Sequence, residues 1–139
     1  MVPPPLPIRQ QTFLAFDFGL RRTGVASGNV LTRTATPQST MVLPVNARAE
    51  TRLLSAAQRI TVWQPDALVV GVPFHPDGTP HENTVRAQKF ARQLRARFGL
   101  EVFEVDERYS TTEALAGGAK DADAASACII LEQFLRSLP

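Results

Sequence analysis

The sequence predicts an α/β domain: a five-stranded mixed sheet that starts as an antiparallel three-strand meander, continues through strand-helix units, and carries helices on both faces. Three observations predict it. Strand-like and helix-like stretches alternate along the 139 residues in the order three strands, helix, strand, helix, strand, helix. One strand, "DALVVGV" (66–72), is almost wholly apolar, the mark of a strand covered on both sides. A hydrophobic content of 44% over this length supplies one core and is short for two.

The opening "MVPPPLPIRQQ" holds four prolines in its first seven residues and reads as a flexible arm over 1–11, which leaves 12–139 as a single domain. It contains no apolar stretch long enough for a signal peptide or a membrane span, so a cytoplasmic protein without membrane association is expected. "TFLAFDF" is the first strand, ending in a turn at Gly19, and "GVASGNV" and the Thr-rich stretch around "LTRTATP" are the next two. From Asn46 to Trp63, Leu53, Ala56, Ala57 and Ile60 recur at helical spacing, and Pro65 closes that helix.

After "DALVVGV", Thr79, Pro80 and Glu82 predict a capping box with proline at the first helical position, and Gly99 predicts the stop. Ala87, Phe90, Ala91, Leu94 and Phe98 form the apolar stripe of this helix. Arg86, Lys89, Arg92, Arg95 and Arg97 surround the other half, with Glu82 the one acid among them, a pattern that a solvated helix face also produces. "EVFEVDER" is the last strand, with an acidic end, and the last helix runs from about Asp121 to Leu135.

The net charge of +2 conceals a division along the chain. Residues 1–99 carry twelve Lys/Arg against five Asp/Glu, whereas residues 100–139 carry three against eight. That asymmetry fits a basic surface for phosphates beside an acidic cluster for cations. The one cysteine, Cys128, sits in the apolar "AASACIILEQFL" as a small hydrophobe, so no disulfide or thiolate-metal framework is available.

Three acidic features fall where sites gather in such sheets, at strand ends that open onto crevices. Asp17 lies inside an apolar strand between Phe16 and Phe18, a costly place for a charge. Asp106 and Glu107 end the last strand, and Asp123 opens the last helix. Asp123 shares its helical face with Ala127, Ile130, Leu131 and Phe134, which turns its carboxylate toward the sheet. Dipole or capping interactions ordinarily explain such an aspartate, but Asp121 fits that role better. Carboxylates gathered at low dielectric repel unless a cation sits between them. Oxygen ligands suit Mg2+ or Mn2+ rather than zinc, and two such ions roughly 3.5–4 Å apart can activate water and stabilise the leaving oxygen of a phosphodiester.

Five stretches, "LAFDFGLRRTGVASG", "PDALVVGVPFHPDGT", "RAQKFARQLRARFGLEV", "VDERYSTTEA" and "DADAASACIILEQF", together resemble, in order and over nearly the whole chain after the arm, the YqgF family. That family consists of Holliday-junction-resolvase-like nucleases with an RNase H-like fold, implicated in trimming the 5′ end of pre-16S rRNA. The resemblance implies that Asp17, Glu107 and Asp123 are catalytic and ligate divalent metal, Mg2+ or Mn2+, with Asp106 as a substitute ligand or a support for the others. Arg21, Arg22 and Arg108 would contact the phosphate backbone. The segment "ALAGGAKDA" (114–122) is shorter and less basic than the family's usual one.

The expectation is a metal-dependent nuclease acting on structured RNA such as pre-16S rRNA, as a monomer or homodimer. Branched DNA is the alternative substrate and would favour a dimer, because two symmetric cuts suit a two-fold assembly. A non-catalytic nucleic-acid-binding factor in ribosome assembly or transcription is the rival. Other signals are weaker. His75, Asp77 and His81 share one loop, but Pro76, Asp77 and Gly78 are ordinary turn formers. "DFG" with "GVASG" is similar to the phosphate-binding turn of sugar-kinase and actin-like ATPase folds, which need a second large domain for which 139 residues leave no room.

Overall fold

The structure, a computed structural model, describes residues 11–107 and 122–139. Arg108, Asp121, the arm up to residue 10 and the "ALAGGAKDA" segment before Ala122 lie outside the described residues. The strands are β1 (Thr12–Asp17), β2 (Arg22–Asn29), β3 (Ala35–Val42), β4 (Ala67–Val72) and β5 (Glu101–Asp106). They form one sheet in the order β3-β2-β1-β4-β5. β1 pairs antiparallel with β2, and β2 with β3, whereas β1 pairs parallel with β4, and β4 with β5. The carboxyl ends of β1, β4 and β5 therefore share one sheet edge, the edge at which β2 begins.

The third strand starts later than "LTRTATP" predicts. Asn29 Oδ1 accepts hydrogen bonds from the backbone of Leu31 at 2.9 Å and Thr32 at 3.0 Å, and Arg33 adopts φ 53°. This Asx-type turn takes up residues 31–34, and pairing resumes at Ala35.

Helices α1 (Ala49–Trp63) and α2 (Glu82–Phe98) cover one face, and α3 (Ala122–Ser137) covers the other. Strand alternation sorts the core between them. Leu14, Phe16, Val25, Leu68 and Val70 meet Leu53 and Ala56 of α1 and Ala87, Phe90 and Leu94 of α2. Phe13, Ala15, Ala26, Ala67 and Val69 meet Ala127, Ile130, Leu131 and Phe134 of α3. Phe16 is fully buried with its ring 5.7 Å from that of Phe90, edge to face, and burial of such a side chain stabilises by about 1.5–3 kcal/mol. Every residue of β4 is buried, as its continuous apolar run requires.

The helix ends depart modestly from the sequence pattern. Asn46, with φ 61°, belongs to the turn before α1, and left-handed Gln64 closes that helix just before Pro65. α2 is capped at His81 rather than Thr79: His81 Nδ1 accepts the Asn83 N–H at 3.1 Å, and the His81 N–H reaches Thr84 Oγ1 at 3.0 Å. Thr79 is unavailable as a cap because its N–H and hydroxyl both donate to Asp77 Oδ1, at 2.9 and 2.7 Å. The Thr84 hydroxyl in turn donates to the Pro73 carbonyl, which ties the start of α2 to the end of β4.

Arg33 closes the far end of α3. Its Nη1 donates to the Leu135 and Leu138 carbonyls, both at 2.9 Å, and its Nη2 donates to the Pro139 carbonyl at 3.0 Å. The Leu135 carbonyl belongs to the last turn of α3, where it also accepts the Leu138 N–H at 3.3 Å, and those of Leu138 and Pro139 follow the helix, so the cation meets the negative end of the helix dipole. Arg33→Ala is expected to destabilise the protein by about 2 kcal/mol in urea unfolding. A change below about 0.5 kcal/mol, the level of an ordinary surface substitution, would show that water satisfies these carbonyls equally well.

Candidate metal and nuclease site

Asp17 is the last residue of β1, and alternation after Phe13 and Ala15 places it on the α3 face. Its register partners on the two neighbouring strands are Gly24 and Gly71. Both glycines are seats for something else. A Cβ on Gly71 would fall 2.5 Å from Glu107 Oε1 and 3.1 Å from Glu107 Cγ, and would also strike Ile130 of α3. A Cβ on Gly24 would collide with the Asp123 backbone carbonyl.

The acids thus reach Asp17 by two routes. Along β5, Phe103 and Val105 face α3, and the same alternation carries Glu107, one residue past the strand, to that side over Gly71. Along β2, Gly24, Ala26 and Gly28 offer α3 a track of small residues, and a Cβ on Gly28 would sit only 3.0 Å from Leu131. The helix lies close on that track, so its first turn brings Asp123 to the end of β1.

Burial, a side-chain hydrogen bond with Asp17, and the charges of Asp17 and Asp106 push the Glu107 carboxyl up to about 9. Burial also raises Asp17; the hydrogen bond to Glu107 partly offsets this, and the nearby Asp123 charge adds to it. At neutral pH the pair shares a proton, as two carboxylates in a dry site must. Glu107 Oε1 is nonetheless buried, and among the described residues it has no hydrogen-bond partner. An orphaned carboxylate oxygen beside a second carboxylate is a position that a cation satisfies.

Asp123 has turned to a cation of the chain's own. Arg22 Nε donates to its Oδ2 at 2.6 Å, with the two side chains 52% and 35% exposed, so water screens the pair. Accordingly, among the described residues no three His, Cys, Asp or Glu side chains are gathered closely enough to enclose an ion. The structure brings Asp17 and Glu107 together and leaves Asp123 beside them, held by Arg22.

Alternation along β5 puts Asp106 with Val102 and Glu104 on the α1/α2 face, opposite to Asp17, although its charge still acts on Glu107. Arg21 is exposed beside the turn and accepts the Leu43 N–H on its carbonyl at 2.7 Å. Of the loop residues, His81 caps α2 and Asp77 shapes the preceding turn.

Three residues of the site were not evident in the sequence. Gly24 and Gly71 interrupt strand runs, which is the sign of a close approach, but a single chain does not say by what. Arg52 occupies the buried stripe of α1, where its guanidinium lies 4.7 Å from the Phe18 ring centroid and its Nη2 donates to the Leu20 carbonyl at 2.8 Å. It thereby anchors the turn that follows Asp17.

Comparison with known proteins agrees with this architecture. Residues 11–137 match the family model described as RuvX, Holliday junction resolvase. A Polaromonas protein named "Putative pre-16S rRNA nuclease" is 79% identical over 129 residues, spanning 93% of this chain and 91% of its own. One of the same name from Albidiferax ferrireducens is 66% identical, spanning 92% and 80%. The fold is similar to that of T. thermophilus RuvC solved with a Holliday junction substrate, with a TM-score of 0.59 and 17% identity over 91% of this chain and 94% of that one. The sheet order, the helix placement and the sequence match agree, and the chain belongs to the RuvX Holliday junction resolvase family of nucleases, on the RNase H-like fold.

Proposed function

We propose that this protein is a divalent-metal-dependent nuclease that hydrolyses phosphodiester bonds in structured RNA, with the 5′ end of pre-16S rRNA as its substrate. The observation that carries the proposal is the buried Asp17–Glu107 pair with its orphaned Oε1, seated over Gly71 beside Asp123. A structural role does not explain it, since two buried carboxylates destabilise a fold that gains nothing from them.

The donor set is all carboxylate oxygen, which fits Mg2+ or Mn2+. Asp17 and Glu107 would hold the ion from the sheet, and Asp123 from the helix. When bound, the ion supplies an activated water and charge stabilisation at the phosphodiester. Asp17 and Glu107 keep water-poor, negatively charged oxygens at a fixed place on the sheet, and their shared proton leaves as the site fills. Arg22, once Asp123 turns inward, presents its guanidinium to a backbone phosphate, with exposed Arg21 beside it. Asp106, on the other face, acts through its charge on Glu107. Arg108 directly follows Glu107 in the chain, where a phosphate contact remains its proposed role.

The Arg22–Asp123 ion pair is also what a metal-free binding factor would show, so that reading is tested alongside. Asp17→Asn is expected to lower Mg2+- or Mn2+-dependent cleavage of a pre-16S-type RNA at least about 1,000-fold, in line with removing a group that acts on the reacting atoms, while circular dichroism stays unchanged. Full cleavage by that variant would reject the site. RNA binding with steep salt dependence but no response to either ion would favour the binding factor.

Glu107 is raised from 4.5 to about 9 in the folded state, so the metal-free protein should lose stability as pH rises through that window. Mn2+ at millimolar concentration should raise Tm most at the alkaline end, and calorimetry in two buffers should show about one proton released per ion near pH 7. A Tm that climbs with pH, or binding without proton release, would contradict the shared-proton pair. Gly71→Ala is expected to displace Glu107, reducing cleavage by about 100-fold or more at a stability cost of about 1–3 kcal/mol. Retained activity would show that Glu107 does not need that seat.

A further inference from the structure

On the α1/α2 side, at the same sheet edge as Asp17, the turn after β1 borders a cleft of about 160 Å³. Phe18, Leu20, Arg52, Arg86, Lys89 and Phe90 line it. A wider cleft of about 510 Å³ shares Leu20 and Arg86 with it and continues past His75 and His81. The three cations at this place differ in how they are used. Arg52 is 9% exposed, and although Nη2 holds the Leu20 carbonyl, its buried Nε has no hydrogen-bond partner among the described residues. Among the described residues Arg86 makes an exposed pair with Glu82, at 3.5 Å, and a 3.3 Å contact with Asn83, both of the weak surface kind. Lys89 is exposed one turn further along the helix.

The rest of the basic half of α2 is not equivalent. Arg95 is committed to the Val102 carbonyl at 2.7 Å and to Glu104 at 3.0 Å, and Arg97 is paired with Glu50. Arg92 is exposed as well, but it is not among the described residues that line either cleft, so the charge open to a ligand beside the turn that begins at the metal site is that of Arg86 and Lys89. Among the described residues no carboxylate lines the smaller cleft. A strand laid across this edge with one phosphodiester at Asp17 would run over the Phe18–Leu20 turn toward the cleft.

We propose that the cleft between α1 and α2 is a second phosphate site, which holds the nucleic-acid backbone through Arg52, Arg86 and Lys89 at a phosphodiester away from the one being cleaved. It rests on the nuclease reading for the strand's course, and it gives the basic face of α2 a function separate from catalysis.

The test is fluorescence anisotropy with a labelled RNA hairpin carrying a single-stranded 5′ extension, in EDTA, over a NaCl series. The double variant Arg86→Gln/Lys89→Gln is expected to bind about ten-fold more weakly at moderate salt and to lower the salt slope by about 1.4, the loss of two single-strand phosphate contacts. Both residues are exposed, so folding should survive. Arg52→Met, which keeps the packing over Phe18, should add a further loss. The control is Arg136→Gln, which removes an exposed charge at the far end of α3 and should leave both quantities unchanged. Wild-type binding that the double variant matches, or weakens no more than the control, overturns this site and leaves the nuclease reading standing. Wild-type protein that binds no RNA in EDTA overturns this site, and one that in addition neither binds nor cleaves RNA with Mg2+ or Mn2+ overturns both. RNA binding that depends on Arg86 and Lys89 in a protein inert with Mg2+ and Mn2+ supports the site and removes the nuclease.

Discussion

Asp17 has an acid at each side because it has no side chain at either side. In the sheet its neighbours are Gly24 and Gly71, and each leaves room on the α3 face for a group that a methyl would exclude. Glu107 descends over one, and the opening turn of α3 descends over the other. Both contacts are short, so the arrangement tolerates little displacement of either partner. The electrostatics follow from this steric fact: the carboxylates are brought together in a dry place, and their affinity for protons rises because they are close and buried.

The helix that carries Asp123 is positioned by β2 along its length. Gly24, Ala26 and Gly28 make the strand smooth on that side, and the aromatic cluster of Phe13, Phe103 and Phe134 fills the space further down. Two arginines from β2 and the turn after it mark its ends, Arg22 on Asp123 and Arg33 on the last carbonyls. The two pairs differ in kind. Arg33 satisfies backbone groups that any helix end must satisfy, whereas Arg22 pairs with a side chain that has other chemistry to perform, in a partly exposed pair that is cheap to break.

The opposite face supplies mechanical support rather than acids. Arg52 holds the turn after Asp17 from beneath, stacked on Phe18, and Thr84 fastens α2 to the end of β4. On α2, similar-looking arginines divide between fold and surface: Arg95 and Arg97 are spent on β5 and α1, while Arg86 and Lys89 open onto the cleft. A helical wheel shows them as one basic face, because periodicity reports direction and not the presence of a partner.

The order of elements, the buried character of β4, the apolar stripes of the helices and the suspicion attached to Asp17, Glu107 and Asp123 were all present in the linear chain. They depend on local periodicity and on the cost of a charge in an apolar strand, which neighbouring residues already reveal, whereas the choice of Glu107 over Asp106 rested on the family resemblance. The third strand and the start of α2 were displaced by side chains, Asn29 and Asp77, that captured nearby backbone and hydroxyl groups. Strand register separated Asp106 from Glu107, because adjacent residues face opposite sides of a sheet. Only the folded chain decided that two glycines on different strands flank one aspartate, that Arg22 answers Asp123 across 101 residues, and that Arg52 lies under the turn. Those facts are distances between segments remote in sequence, set by packing of the whole core, and no local pattern encodes them.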